Sequence, residues 1–211
     1  MIKIVIAFTF FTFSLFAQQN SIAKISPQIK SRMLKGNSYR EGCPVSLGSL
    51  RYLRMQYRGF DGQTKWGEMI VHQEVAHEVV ALFEQLYTMG YPIHKMQLVS
   101  DFKGSDWKSI EADNTSAFNC RNATGSKKWS KHSYGKAIDL NPIENPYISR
   151  SGRISHKASL PYRKREHTLD MRPENRAVLL LRDKATKLFR QYGWKWGGVW
   201  KNVKDYQHFS K

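Results

Sequence analysis

The segment at residues 130–142, SKHSYGKAIDLNP, places the strongest constraint on how this chain can fold. It holds one histidine, His132, and one aspartate, Asp139, on either side of Gly135. Two residues at this separation in one continuous strand face opposite sides of a sheet, so the backbone must bend if the side chains are to converge. Gly135 can supply that bend because glycine adopts conformations that other residues avoid. An imidazole and a carboxylate brought together in this way are ligands suited to zinc.

A catalytic zinc site usually has a third protein ligand and an open position for water. His208 is the best candidate, because it lies in the segment DYQHF among apolar and aromatic neighbours, shortly after Asp205. The Asp205 carboxylate can then take a proton from a metal-bound water and return it to a leaving amine. The remaining histidines are His94 and four that are expected to be polar surface residues: His72, His77, His156 and His167.

The N-terminal residues 1–17 are predicted to be a secretory signal peptide. Lys3 is a short positive region, and the apolar run at residues 4–16 is too short to span a bilayer comfortably. Ala17 offers a small residue at the cleavage point, and an uncleaved membrane anchor is the alternative. We therefore expect an exported protein, periplasmic or secreted, with no transmembrane segment in the mature chain.

The chain has 211 residues and a formal net charge of +17 at pH 7, and a field of this sign attracts polyanions. An anionic cell wall or membrane surface fits export better than nucleic acid does, and we expect no nucleic-acid partner. A basic surface without any specific partner is the other reading of this charge.

The two cysteines, Cys43 and Cys120, can pair in an oxidising compartment, and the sequence leaves open whether they do. Their spacing is not that of a CxxC motif, so a thiolate metal site is not indicated.

The length suits one domain with a sizeable core and is too short for two. Residues 18–42 are polar and basic and are predicted to form a linker or a loosely packed arm, and residues 43–211 the folded domain. Alternating apolar and basic residues at 49–59 predict a strand, and helical spacing of apolar residues at 75–86 predicts a helix that Gly90 ends.

Further elements follow from the same patterns. Residues 68–71, 95–101 and 138–140 are predicted strands, and the aromatic closing segment is strand-like. Residues 174–192 are predicted to form one long helix, with Leu181 on the same buried face as Val178 and Leu188. The irregular segment at 145–172 could form one wall of a functional groove.

Taken in order, the motifs of the second half of the chain resemble those of the M15 family of zinc peptidases. This family comprises D-alanyl-D-alanine carboxypeptidases and L-alanyl-D-glutamate endopeptidases, and it includes phage endolysins. The two central motifs are SxHxxGxAxD at residues 130–139 and DxxH at residues 205–208. Supporting motifs are NTSAFNCR at 114–121, Asn-Pro pairs at 141–142 and 145–146, and WGGVW at 196–200. The resemblance extends from about residue 59 to residue 211.

The resemblance implies an α+β fold, with a small, mostly antiparallel sheet, helices packed on one side and zinc in an open groove. It implies that His132, Asp139 and His208 bind Zn²⁺ and that Asp205 is the general base. It also implies that Arg121 holds the polarised carbonyl oxygen, a role suited to a fixed cationic donor. Three further residues could line the groove as substrate-binding residues or could instead have a packing role: Ser133, Trp196 and Tyr206.

The implied function is that of an exported zinc metallopeptidase hydrolysing peptide bonds in peptidoglycan stem peptides, D-alanyl-D-alanine carboxypeptidase-like. An L-alanyl-D-glutamate endopeptidase is the nearest alternative, because the bond cleaved depends on the shape of the groove. A zinc-containing wall-binding domain without catalysis is a further alternative. The presence of Asp205 together with three zinc ligands favours an enzyme.

Overall fold

The structure is a computed structural model that describes residues 19–166 and 171–211. The predicted signal peptide at residues 1–17 and the side chain of His167 lie outside these ranges. Within the described ranges, no helix is long and apolar enough to cross a membrane. The α-helices there are α1 (Pro27–Lys35), α2 (Gln73–Thr88), α3 (Asp106–Glu111), α4 (Pro173–Arg176) and α5 (Lys184–Gln191). The strands are β1 (Ser21–Lys24), β2 (Leu50–Arg58), β3 (Thr64–His72), β4 (Lys95–Met96), β5 (Asn114–Thr115), β6 (Ala137–Asp139), β7 (Tyr147–Ile148), β8 (Lys195–Trp196), β9 (Lys204–Asp205) and β10 (His208–Ser210).

The longest strands form an antiparallel sheet in the order β1-β2-β3. In β2, buried Leu53, Met55 and Tyr57 alternate with half-buried polar residues, so one face of the strand turns to the core. Strand β3 pairs with β2 along its whole length, from Leu50 opposite His72 to Arg58 opposite Thr64. The strands predicted at 49–59 and 68–71 are confirmed.

Helix α2 follows β3 directly and packs its apolar side into the core. His72 is its N-cap, with a side chain that accepts a hydrogen bond from the backbone of Glu74. Val75, Val79 and Leu86 are buried at the helical spacing seen in the sequence, which confirms the predicted helix. His72 was predicted to be a polar surface residue on the helix. This prediction is wrong in detail, because His72 caps the start of the helix.

The prediction of a loosely packed arm at residues 18–42 is wrong. Strand β1 pairs with β2. Ser26 is the N-cap of α1, and its hydroxyl accepts a hydrogen bond from the backbone N–H of Ile29. Met33 of α1 is fully buried, and the guanidinium of Arg32 binds two carboxylates on other elements. This basic segment has few apolar residues. It folds because residues such as Met33 pack against apolar residues from the rest of the domain.

A disulfide joins Cys43 to Cys120, which answers the question that the sequence left open. Both cysteines lie in a small apolar cluster that also contains Met33, Leu50 and Phe118. The bond attaches the segment that follows α1 to the segment immediately before Arg121.

The helix predicted over residues 174–192 is interrupted, and α4 and α5 are two separate elements. The Asn145 side chain accepts a hydrogen bond from the backbone of Leu179 at 2.7 Å, and Asp183 caps the start of α5 through Thr186. Because the chain leaves helical geometry between them, Leu181 is 45% exposed instead of buried. The strand predicted at 95–101 is also short, because a 3₁₀ turn, Val99–Phe102, follows β4.

The second half of the chain builds several very small sheets. Strand β10 lies between β6 and β8, and β7 pairs with β9, all antiparallel, whereas β4 and β5 are parallel. The main core joins these elements to the first sheet through residues such as Ile138, Phe189 and Phe209. The fold is therefore α+β with small, mostly antiparallel sheets, and β6, β9 and β10 carry the candidate site.

Candidate functional site

His132 lies in a 3₁₀ turn, Lys131–Tyr134, that begins at Ser130 and ends at Gly135. The Ser130 hydroxyl accepts a hydrogen bond from the backbone of His132, and Gly135 has a positive φ of 65°. The Gly135 carbonyl accepts a hydrogen bond from the backbone N–H of His72 at 2.9 Å. A Cβ atom at Gly135 would lie 2.5 Å from that nitrogen, so only glycine fits both the conformation and the space. This is the bend that the sequence predicts.

Asp139 and His208 are brought together by strand pairing. They are directly opposite each other in the antiparallel pair of β6 and β10, and side chains so placed lie on the same face. Asp139 is held on its other edge by two backbone hydrogen bonds with Ser116, of 2.8 and 3.0 Å. The register of a three-residue strand therefore places one predicted ligand beside another.

The three predicted metal ligands form one compact, buried cluster. The Asp139 oxygens lie 3.1 Å from His132 Nε2 and 3.0 Å from His208 Nδ1, and the two imidazole nitrogens are 3.2 Å apart. The three side chains could hold a metal ion, and they belong to residues that are only 4 to 6% exposed. Two imidazole nitrogens and one carboxylate oxygen are a donor set that zinc accepts in catalytic sites.

The backbone around the cluster fixes which nitrogen of His132 faces the other ligands. His132 Nδ1 lies 2.6 Å from the carbonyl oxygen of Ala117. Because a carbonyl only accepts hydrogen bonds, Nδ1 carries the proton and Nε2 keeps its lone pair for a metal. Such a hydrogen bond from the outer nitrogen is the usual way in which a metal-binding histidine is oriented.

The charges within the cluster support an ionised carboxylate. Burial alone would raise the pKa of Asp139, but the charges and hydrogen bonds of His132 and His208 outweigh it and hold the pKa far below its usual range. Burial alone would lower the pKa of His208, and the contact with Asp139 raises it instead. Asp139 is thus the negatively charged member of the cluster.

Asp205, the predicted general base, lies beside the cluster on the short strand β9. It is half-buried, and its carboxylate accepts a hydrogen bond from Gln207. Burial, followed by the negative charge of Asp139, raises the pKa of Asp205 to about 6. Gly197 allows this strand to approach closely, because a Cβ there would lie 2.5 Å from the Asp205 carbonyl oxygen.

The cluster and Asp205 open onto a groove of about 790 Å³. Arg121, the predicted carbonyl-binding residue, lines the same groove. Its Nε and Nη2 donate to one oxygen of Asp106 at 3.1 and 2.9 Å, and its Nη1 donates to the carbonyl of Asn122. The structure therefore brings together all five residues for which the resemblance implies a metal-binding or catalytic role.

The three residues that could have lined the groove do not line it. Ser133 is fully buried, and its hydroxyl exchanges hydrogen bonds with the backbone of Arg121. Trp196 is buried against Phe209 and donates to the carbonyl of Tyr206, whose own ring lies under the guanidinium of Arg165. Their packing role, the alternative that the sequence analysis kept open, fits the structure.

Other lining residues were not found from the sequence. His156 was expected at the surface but is half-buried, and its ring packs against that of Trp107, with centroids 3.9 Å apart and planes tilted by 32°. Both rings line the groove, as do Asp106, Trp200 and Gln207. No sequence signal pointed to the Trp107–His156 pair, because the two residues are distant in sequence and each stands in a polar segment.

The segment that carries the cluster also matches a known family. A family model described as D-alanyl-D-alanine carboxypeptidase, from the M15 peptidases, matches residues 124–211. This range contains His132, Asp139, Asp205 and His208, and it begins after Arg121. Neither the comparison with curated proteins nor the comparison with solved structures gave a match. The match confirms the resemblance to the M15 peptidases seen in the motifs, and it does so over residues 124–211.

Proposed function

We propose that this protein is an exported, zinc-dependent peptidase that hydrolyses peptide bonds in peptidoglycan stem peptides, with D-alanyl-D-alanine carboxypeptidase activity. The observation that carries the proposal is the buried cluster of His132, Asp139 and His208, which opens onto a groove that also contains Asp205. Zn²⁺ bound by these three side chains would act as a Lewis acid and lower the pKa of a bound water.

The residues of the chain supply the proton transfers. A carboxyl group with a pKa of about 6 can accept a proton from the attacking water near neutral pH and can release it again. Asp205 would take that proton as the water attacks the scissile carbonyl, and would then donate it to the departing amine. The same group therefore acts first as a base and then as an acid.

Arg121 would hold the oxygen of the scissile carbonyl as negative charge develops on it. Asp106 occupies the Nε edge of the guanidinium, and the Asn122 carbonyl accepts one further hydrogen bond. An arginine has five N–H donors, so two remain for a substrate oxygen. A cationic donor held in place before the reaction stabilises the charge without the cost of reorganisation.

The net charge of the chain fits a substrate with free carboxylates. Three basic residues, Arg121, Lys131 and Lys195, line the groove beside three aspartates, and the whole chain has a net charge of +17. Peptidoglycan stem peptides carry such carboxylates, and a positive field raises the encounter rate with them. The disulfide between Cys43 and Cys120 supports export, because such bonds persist in oxidising compartments.

The deciding experiment is mass spectrometry of defined muropeptides incubated with the zinc-loaded protein, beside Asp205→Ala and with bound zinc assayed in both. We expect the wild type to remove a terminal D-alanine, and the variant to keep zinc but to lose about 10²- to 10⁴-fold in rate. Loss of a larger fragment would instead identify an endopeptidase. If both proteins bind zinc and neither cleaves any stem peptide, the proposal fails and a wall-binding domain replaces it.

A further inference from the structure

We infer that Gln207 is a positioning residue that holds the carboxylate of Asp205 in the orientation needed for proton transfer. This inference rests on the proposed function, in which Asp205 is the proton-transferring group. The geometry that points to it is the contact between the Gln207 side-chain amide and Asp205, with Nε2 donating to Oδ1 at 3.2 Å.

The backbone of Gln207 is fixed by the same strand pairing that builds the cluster. Its carbonyl accepts a hydrogen bond from the backbone of Leu140 at 3.0 Å, and the next residue, His208, pairs with Asp139. The backbone that carries the Gln207 side chain is therefore held in place. Asp205, by contrast, lies on β9, a strand of only two residues.

The stability of the fold does not explain why position 207 holds a glutamine. Gln207 is 4% exposed, and its Oε1 is buried with no hydrogen-bond partner among the described residues. A buried acceptor without a partner destabilises the folded state, and an apolar side chain of the same length would avoid that cost. What the amide provides in return is the hydrogen bond to Asp205.

The position of Asp205 depends on that hydrogen bond. Within residues 19–166 and 171–211, Gln207 is the one side chain that donates to the Asp205 carboxylate. With Oδ1 held in this way, Oδ2 is the oxygen left to exchange a proton with water and with the leaving amine. A misplacement of about 1 Å in a catalytic group can lower the rate by about 10²-fold.

The first test replaces Gln207 by methionine, which has similar length and no N–H donor. We expect kcat on muropeptides to fall by about 10²-fold with an unchanged KM, because substrate binding is retained and proton transfer is not. Bound zinc should equal that of the wild type, and Tm should be equal or higher because the unpartnered acceptor is gone. Thr186→Val, which removes another buried and unpartnered oxygen outside the groove, is the matched control and should leave kcat unchanged.

Crystal structures of zinc-loaded wild type and Gln207→Met provide a readout without turnover. We expect the Asp205 carboxylate to rotate or to become disordered in the variant. If it keeps its position, or if kcat changes by less than twofold, the inference is overturned. A loss of kcat accompanied by loss of zinc or of Tm would mean a structural role and would overturn it too. If the wild type itself cleaves nothing, the proposed function fails, while the position of Asp205 still decides the inference.

Discussion

Asp139 and Glu144 are two carboxyl groups close together in the sequence, and the difference between them shows what makes a site. Both are buried, with exposures of 6% and 3%. Asp139 faces the imidazoles of His132 and His208 and is ionised. Glu144 faces another carboxyl group, that of Asp113.

Burial favours the neutral form of both groups, and the neighbours oppose it at Asp139 but add to it at Glu144. Burial and then the charge of Asp113 raise the pKa of Glu144 to about 10, and burial also raises the pKa of Asp113. Glu144 is therefore neutral near pH 7 and cannot attract a cation as Asp139 does. A buried carboxyl group indicates a metal site only when groups that stabilise its charge converge on it.

The largest expected effect follows from removing the charge of Asp139. Asp139→Asn should not retain zinc on dialysis, and its zinc affinity should fall by more than the roughly 10- to 100-fold typical of losing a group that only supports a ligand. Competition with a chelator measures the affinity. Asp113→Asn, a change at an equally buried carboxyl group, should keep wild-type affinity. An Asp139→Asn protein that binds zinc as tightly as the wild type would remove Asp139 from the metal site.

A smaller effect is expected when the backbone that delivers His132 to Asp139 is changed. Gly135→Ala forces a Cβ against the backbone of His72 and into a left-handed conformation, so we expect the free energy of unfolding to fall by about 2–4 kcal/mol. The zinc affinity should fall as well, because His132 is displaced. Gly125→Ala is the matched control, since Gly125 also has a positive φ but open space around it.

The outcomes of the two glycine variants can be separated by denaturant unfolding and zinc titration. Gly125→Ala should lose about 1 kcal/mol of stability and no zinc affinity. If Gly135→Ala behaves in the same way, the close approach to His72 does not position the cluster.

The last prediction concerns Glu144 and the pH dependence of stability. In the unfolded chain this group has its ordinary pKa near 4.5, and in the folded chain about 10, so between these values the folded state holds one more proton. The stability it contributes is complete below about pH 4.5 and is lost as pH rises towards 10, by at most about 1.4 kcal/mol per pH unit. Glu144→Gln should remove this loss, because an amide does not titrate.

Unfolding in urea at pH 5, 7 and 9 tests this prediction, with the pH values chosen on the basis of the two pKa values. The free energies of wild type and Glu144→Gln should be closest at pH 5 and should diverge with rising pH in favour of the variant. Glu111→Gln, a change at an exposed carboxylate of α3, is the control. Parallel curves for wild type and Glu144→Gln would show that Glu144 is ionised in the folded protein.

The regular elements of the fold could be predicted because local pattern and tertiary contacts agree there. Strand β2 alternates buried and half-buried residues, and α2 buries residues such as Val79 at helical spacing. Residues 174–192 have a helical pattern too, but Asn145 and Asp183 bind backbone groups in the middle of it. The bond from Asn145 joins residues distant in sequence, so no local pattern could reveal it, whereas Asp183 caps α5 from within the segment.

For the candidate site, the sequence could identify the main residues but not their arrangement. The resemblance pointed to His132, Asp139 and His208, and the structure brings them together. It could not supply the register that places His208 opposite Asp139, because register depends on the pairing of strands distant in sequence. Nor could it reveal that the Gln207 side chain turns to Asp205, or that the rings of Trp107 and His156, which are distant in sequence, contact each other.

The disulfide between Cys43 and Cys120 changes what a proteolytic cut can do to this molecule. Without it, one cleaved peptide bond anywhere between these residues would leave two fragments with no covalent link between them. With it, the two fragments remain a single covalent molecule, and Arg121 stays one residue away from the crosslink. The chain can thus be nicked within this stretch and still remain one covalently linked unit.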